Sequence, residues 1–179
     1  KGRRFDERVR NRILRLAKEL EQAKTPEEFR SRAAEFYQEF GVGKFGLNQA
    51  FRVTGSEGNA QMEPITGVEA VSLKDLVGYE RQKKKLIENT EAFIEGREAN
   101  NVLLFGDSGT GKSSSIKAVL HEYYGRGLRM IEVYKHQFQC LGDILEQVKD
   151  RNYKFIIYMD DLSFEEYEIE YKYLKAMIE

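Results

Sequence analysis

Val102-Leu103-Leu104-Phe105-Gly106-Asp107-Ser108-Gly109-Thr110-Gly111-Lys112-Ser113 is the stretch that decides the reading of this chain. Four apolar residues run into the pattern G-x-x-x-x-G-K-S, and a helical pattern follows. A strand that delivers a glycine-rich turn into a helix aims several backbone N–H groups at one point. The positive end of the helix dipole faces the same point, which therefore attracts an anion. In this pattern Lys112 reaches the β and γ phosphates of a nucleoside triphosphate, and the Ser113 hydroxyl ligates Mg²⁺. Gly106, Asp107, Ser108, Gly109, Thr110, Gly111 and Ser114 complete the cradle. At ordinary residue frequencies the pattern arises by chance in roughly one chain in a few hundred of this length, before strand and helix are required. An ordinary glycine loop is the weaker reading, and a nucleoside triphosphate site is expected.

Working outward, a later apolar run, Lys154-Phe155-Ile156-Ile157-Tyr158-Met159, ends in Asp160-Asp161. Ligands of parallel α/β sheets bind at the carboxyl ends of the strands, so this acid pair is expected beside the phosphate loop. Asp160 would hold Mg²⁺, directly or through water, opposite Ser113. Asp161 would orient or deprotonate an attacking water. An apolar strand capped by acids is common and weak evidence alone; the loop upstream gives it weight. The third residue after Asp160 is Ser163, not the glycine of a GTPase, and no Asn-Lys-x-Asp guanine reader occurs. Two adjacent acids suit attack by water better than transfer to a small molecule.

The rest of the chain reads as α/β, a parallel sheet flanked by helices. Strands are expected at 102–105, about 128–134 and 154–159. Helices are expected at about 79–95, directly after the loop, around 138–148, and from Ser163 through Tyr167, Tyr171, Leu174 and Ile178. The first forty residues read as two helices. Val9, Ile13, Leu16, Ala17 and Leu20 stripe the first, and Thr25-Pro26-Glu27-Glu28 starts the second with a capping box. Phe29, Ala33, Phe36, Tyr37 and Phe40 form its apolar stripe, expected as core. Residues 41–71 read as a glycine-dotted linker with at most a short strand at 50–53. The G-x-G-x-x-G match over Gly41–Gly46 follows a helical pattern instead of a strand, so it is rejected as a dinucleotide site. The resulting division is a helical segment 1–40, a linker 41–71 and a P-loop domain 72–179.

With 29 basic and 30 acidic residues in 179, the net charge of −1 favours neither nucleic acid nor a membrane surface. Arg3, Arg4, Arg8, Arg10, Arg12, Arg15 and Lys18 crowd the N-terminus, where a solvated helix face outweighs a nucleic-acid arm. Cys140 alone excludes an internal disulfide, and two histidines disfavour zinc, which suits a reducing cytoplasm. No apolar run approaches the ~18 residues of a membrane span. The chain starts at Lys1, and a piece of a longer protein is expected.

Leu76-Val77-Gly78-Tyr79-Glu80, Asn100-Asn101 with the phosphate-loop strand, Gly109–Ser114 and Asp160-Asp161-Leu162-Ser163-Phe164-Glu165 together resemble the AAA+ ATPases. More narrowly they resemble the bacterial group called domain of unknown function family 815, from about Leu73 to the chain end. The resemblance implies ATP and Mg²⁺ as cofactors, ATP hydrolysis coupled to conformational change in a partner or assembly, and a homo-oligomer. It implies that Val77 and Gly78 wrap the adenine. Asp161 stands where the wider group has Glu. In that group the strand beside the phosphate-loop strand follows the second acid motif and carries the sensor, with an arginine finger and a helical lid after it. The resemblance thus implies a P-loop (AAA+-like) sheet truncated after the Walker B strand, with an open slot between the strands at 102–105 and 154–159. A P-loop kinase of small molecules and a slowly hydrolysing ATP switch are the alternative readings.

Overall fold

The computed structural model describes residues 7–40, 43–68 and 71–160. Its centre is a four-stranded, mostly parallel sheet of order β2-β1-β3-β4. β1 (Ala50–Thr54) and β2 (Gln61–Pro64) form an antiparallel hairpin. β1 then pairs in parallel with β3 (Leu128–Glu132), and β3 with β4 (Lys154–Tyr158). The helices are α1 (Glu7–Glu21), α2 (Pro26–Phe40), α3 (Lys44–Leu47), α4 (Glu80–Ile94), α5 (Lys112–Tyr123) and α6 (Leu141–Val148).

Alternation along the strands separates two cores, because successive side chains leave opposite faces of a sheet. Phe51, Val53, Ile131 and Val133 face one side, where Phe45 of α3 and Leu141, Ile144 and Val148 of α6 cover them. Ala50, Leu128 and Met130 face the other, under Leu86 of α4 and Val119, Leu120 and Tyr123 of α5. The result is a helix–sheet–helix sandwich with apolar surface buried on both faces of the sheet, as parallel strands require.

Two expectations need correction. Residues 50–64 are no linker: Ala50 and Phe51 are fully buried, and Val53 and Met62 nearly so. β1 occupies an inner position of the sheet, with β2 on one side and β3 on the other. The turn between β1 and β2 is tight at Gly55 (φ 90°), where a Cβ would lie 2.4 Å from the Asn59 carbonyl oxygen. Only glycine fits there. The rejected glycine pattern also has a structural role, since Phe45 packs its ring 4.8 Å from Phe51 and 5.5 Å from Phe155.

The second correction concerns 102–105, which makes no strand pairing in the sheet. Val102, Leu103 and Phe105 are 48%, 72% and 87% exposed. β4 has β3 on one side and no described strand on the other. Apolar character alone does not make a strand; a neighbour has to supply the ladder. The other expected strands are β3 and β4, and the helices at 79–95, after the loop and near 138–148 are α4, α5 and α6. The helix expected from Ser163 lies outside the described residues.

The N-terminal helices form a hairpin of their own. Thr25 Oγ1 accepts from the Glu28 N–H at 3.1 Å, and the Glu28 carboxylate accepts from the Lys24 N–H, one residue before the cap. The α2 stripe is not the core expected of it, for Phe29 and Tyr37 stay about half exposed and Ala33 and Phe36 are only partly buried. Arg12 joins α1 to the main body: its guanidinium donates to the Tyr124 hydroxyl at 2.8 Å and lies 4.7 Å over that ring.

Arg129 of β3 is a buried cation, 1% exposed, held between the Tyr124 and Tyr153 rings at 4.2 Å each. It donates to the carbonyls of Phe45, Tyr124 and Leu128. Burial draws its pKa down, with the two tyrosines opposing. These hydrogen bonds and the two facing rings are what make such a buried charge tolerable.

Candidate nucleotide site

The glycine-rich turn sits at the N-terminus of α5. Gly106, Gly109 and Gly111 all have positive φ, and Gly111 (φ 82°, left-handed) caps the helix. A side chain at Gly109 or Gly111 would strain that backbone. The turn is braced from within. Thr110 Oγ1 donates to the Asp107 carbonyl at 2.9 Å, and Ser115 Oγ to the Gly111 carbonyl at 2.8 Å. The Lys112 ammonium spans the turn, donating to the Gly106 and Asp107 carbonyls at 2.8 and 2.7 Å. An ammonium has three donors, so this position leaves it one more for a ligand oxygen. Ser114, in the first turn of α5, is partly buried.

Asp160 follows β4 and brings its carboxylate to the loop: Ser113 Oγ donates to Asp160 Oδ2 at 3.4 Å. These residues are 47 apart in sequence, and the packing of α5 on the sheet brings them together. A hydroxyl and a carboxylate at this spacing suit Mg²⁺, which is bound by one or two protein oxygens and fills its octahedron with water and phosphate oxygens. Among the described residues no cluster of three or more His, Cys, Asp or Glu could hold a metal by itself. Asp161 lies outside the described residues.

Tyr158 is the site residue that the sequence did not announce. Its hydroxyl is buried without a well-formed hydrogen bond among the described residues. Burial pushes its pKa up to about 12; contact with Ser113 opposes the rise and Asp160 adds to it. The phenol is therefore protonated at neutral pH, a donor beside the Ser113–Asp160 pair. In sequence it looks like one more apolar position of a strand.

Two clefts flank the segment that leads into α4. The larger, about 810 Å³, is walled by Leu73, Leu76, Val77 and Ile87 and includes no phosphate-loop residue. The smaller, about 430 Å³, is lined by Leu76, Val77, Gly78 and Tyr79 together with Ser108, Gly109, Thr110 and Gly111. The smaller one is the candidate site, because it alone joins phosphate-loop backbone to the segment expected to wrap a base. Its volume falls in the range of about 300–1,000 Å³ usual for small-molecule sites. The segment is held in place by Lys83, whose ammonium donates to the Leu76 carbonyl at 2.6 Å and pairs with Glu80 at 2.6 Å. Tyr79 is the one non-glycine residue with positive φ among the described residues (φ 55°, ψ 36°). A left-handed conformation costs an ordinary residue about 1–2 kcal/mol.

A mixed α/β sheet flanked by helices, with a glycine-rich loop opening α5 beside the end of β4, is compatible with a P-loop nucleoside triphosphatase. A family model described as "Protein of unknown function (DUF815)" matches residues 47–179, and the chain belongs to that family. The match begins at the last residue of α3, just before β1, and so takes in all four strands of the sheet. The chain is also similar to the replication factor C large subunit of Methanococcus maripaludis, 38% identical over 52 residues, covering 29% of this chain and 11% of the relative. The corresponding subunit of Staphylothermus marinus is 32% identical over 73 residues, covering 40% of this chain and 16% of the relative. The chain thus spans only a small part of the length of these relatives. No solved structure matches at a significant level. Family membership and the two similarities support the AAA+ resemblance carried by the motifs. No helix among the described residues is long and apolar enough to cross a membrane.

Proposed function

We propose that this chain binds ATP with Mg²⁺ and hydrolyses it as an AAA+-type module, driving conformational change in a partner or assembly. The observation that carries the reading is the meeting of Ser113 and Asp160 at 3.4 Å, at the mouth of a glycine-rich loop. Loop backbone from Gly106 to Ser113, with Ser114 behind it, receives the phosphates, and the α5 dipole favours their charge. Lys112 places its ammonium on the β and γ phosphates. Ser113 and Asp160 hold the metal from opposite sides. When bound, Mg²⁺ neutralises the charge that develops on the phosphates. Val77 and Gly78 receive the adenine edge through their backbone. Asp161, next to the metal-holding acid, orients the attacking water and accepts its proton.

Two isosteric substitutions test the roles. Asp161→Asn is expected to leave ATP affinity within about twofold and to slow turnover by roughly 10²–10⁴-fold, the usual worth of a positioned base. Asp160→Asn should instead weaken the Mg²⁺ dependence of binding. Calorimetric titration with and without Mg²⁺, beside phosphate release, separates them. An equal loss of binding and turnover in Asp161→Asn would assign that residue to the metal or to the fold. ATP should also bind more tightly than GTP, because no guanine-reading motif is present in the sequence.

A further inference from the structure

We infer that Tyr79 is the residue on which the nucleobase stacks, and that its left-handed backbone exists to present the ring to the phosphate-loop cleft. The inference rests on the nucleotide reading above and adds the element that makes binding depend on a base. Four observations converge on it. Among the described residues, Tyr79 is the one aromatic residue lining the cleft shared with Ser108, Gly109 and Thr110. It is 56% exposed, so its ring is not consumed by the core. Gly78 and Tyr79 are consecutive residues of positive φ, a reversal that turns the chain just before α4 begins. Finally the segment touches the loop, since Leu76 Cδ2 lies 3.9 Å from where a Cβ on Gly111 would stand.

Each observation has a chemical consequence. Phosphates cradled by the loop fix one end of the nucleotide, so the base lies within one nucleotide's length of it, and Tyr79 lines that same cleft. A phenol ring stacks on any base, because every base has a π-face; it supplies affinity without reading the base edge. A backbone strained at a non-glycine position is a feature that folding alone does not favour, and such strain gathers at ligand sites. Glycine would adopt the same φ and ψ freely, yet this position carries a ring. Lys83 is the positioning residue: by donating to the Leu76 carbonyl it ties the segment to the first turn of α4.

Stacking without edge recognition makes a sharp prediction. Tyr79→Ala should weaken Mg·ATP and Mg·GTP by the same factor, roughly 5- to 150-fold, leaving the ATP-to-GTP ratio unchanged. Inorganic tripolyphosphate, which has no base, should bind as it does to the native chain. Tyr79→Phe should retain full nucleotide affinity. Tyr79→Gly should lose nucleotide as the alanine variant does, while its Tm stays level or rises from relief of the left-handed strain. That last variant separates base contact from damage to the fold.

Calorimetry with the three ligands on the native chain and the three variants performs the test. Nucleotide affinity unchanged in Tyr79→Ala overturns the inference. So does a parallel loss of tripolyphosphate, which would make Tyr79 a strut of the loop. A native chain that binds tripolyphosphate tightly but gains nothing from a base also overturns it, while leaving the phosphate loop standing. A native chain that binds none of the three overturns the nucleotide reading itself, and the inference with it.

Discussion

Lys112→Ala is expected to lower Mg·ATP affinity by on the order of 10²–10⁴-fold. In the proposed complex the ammonium exchanges a loop carbonyl for a phosphate oxygen and so donates to both β and γ phosphates, each such hydrogen bond to a charged group being worth about 1.5–3 kcal/mol. Two of them convert to that range at about 1.4 kcal/mol per decade. Lys112 also braces the loop through the Gly106 and Asp107 carbonyls, so part of the loss could arise from a loosened turn. Tripolyphosphate distinguishes the sources of binding energy. Its affinity should collapse together with that of ATP in Lys112→Ala, whereas Tyr79→Ala should spare it. The two variants thus dissect one ligand into a phosphate end and a base end. Undiminished ATP binding by Lys112→Ala, in a chain with unchanged circular dichroism, would remove the phosphate loop from the functional account.

Legibility of the fold followed how local each constraint is. The loop from Gly106 to Ser113 was readable because its chemistry demands glycine at fixed places, and those glycines are at positive φ. β3 and β4 were readable as apolar runs between turn signals. Asp160 was readable because a strand end must deliver something to the sheet edge. β2 was not, for only Met62 of its four residues is buried and Pro64 argues against a strand. Its place comes from pairing with β1, which no local pattern encodes. The run 102–105 misled in the opposite direction: its composition is that of a strand, but no described strand pairs with it. Tyr79 gave no sign of its left-handed backbone, which Gly, Asn or Asp would have signalled. Arg129 likewise reads as a polar outlier in an apolar strand, and only the assembled fold brings Tyr124, Tyr153 and three carbonyls around it.

Phe51→Ala is expected to destabilise the protein by about 3–5 kcal/mol, the usual cost of emptying a buried phenylalanine site. Domains of this size are stable by roughly 5–15 kcal/mol in total, so the variant should sit near the edge of folding. The size of the effect follows from the position. Phe51 is fully buried, its ring lies 4.8 Å from that of Phe45, and its backbone sits between Pro64 of β2 and Ile131 of β3. Collapse around the cavity is limited, because the neighbours are strand and ring atoms fixed on several sides. Phe29→Ala provides the contrast: Phe29 is 50% exposed on α2, and the loss there should be well under half as large. Urea unfolding of both variants measures the difference directly. A value for Phe51→Ala within about 0.5 kcal/mol of zero, the range of ordinary surface changes, would restore residues 41–71 to a linker and detach the hairpin from the sheet. The expected value instead makes β1 part of the scaffold beneath the site. β1 supports β3, β3 supports β4, and β4 leads into Asp160 two residues beyond its end, so a cavity at Phe51 should also loosen the acid that meets Ser113. Nucleotide affinity in Phe51→Ala should therefore fall more steeply with added urea than in the native chain, although Phe51 does not line the cleft.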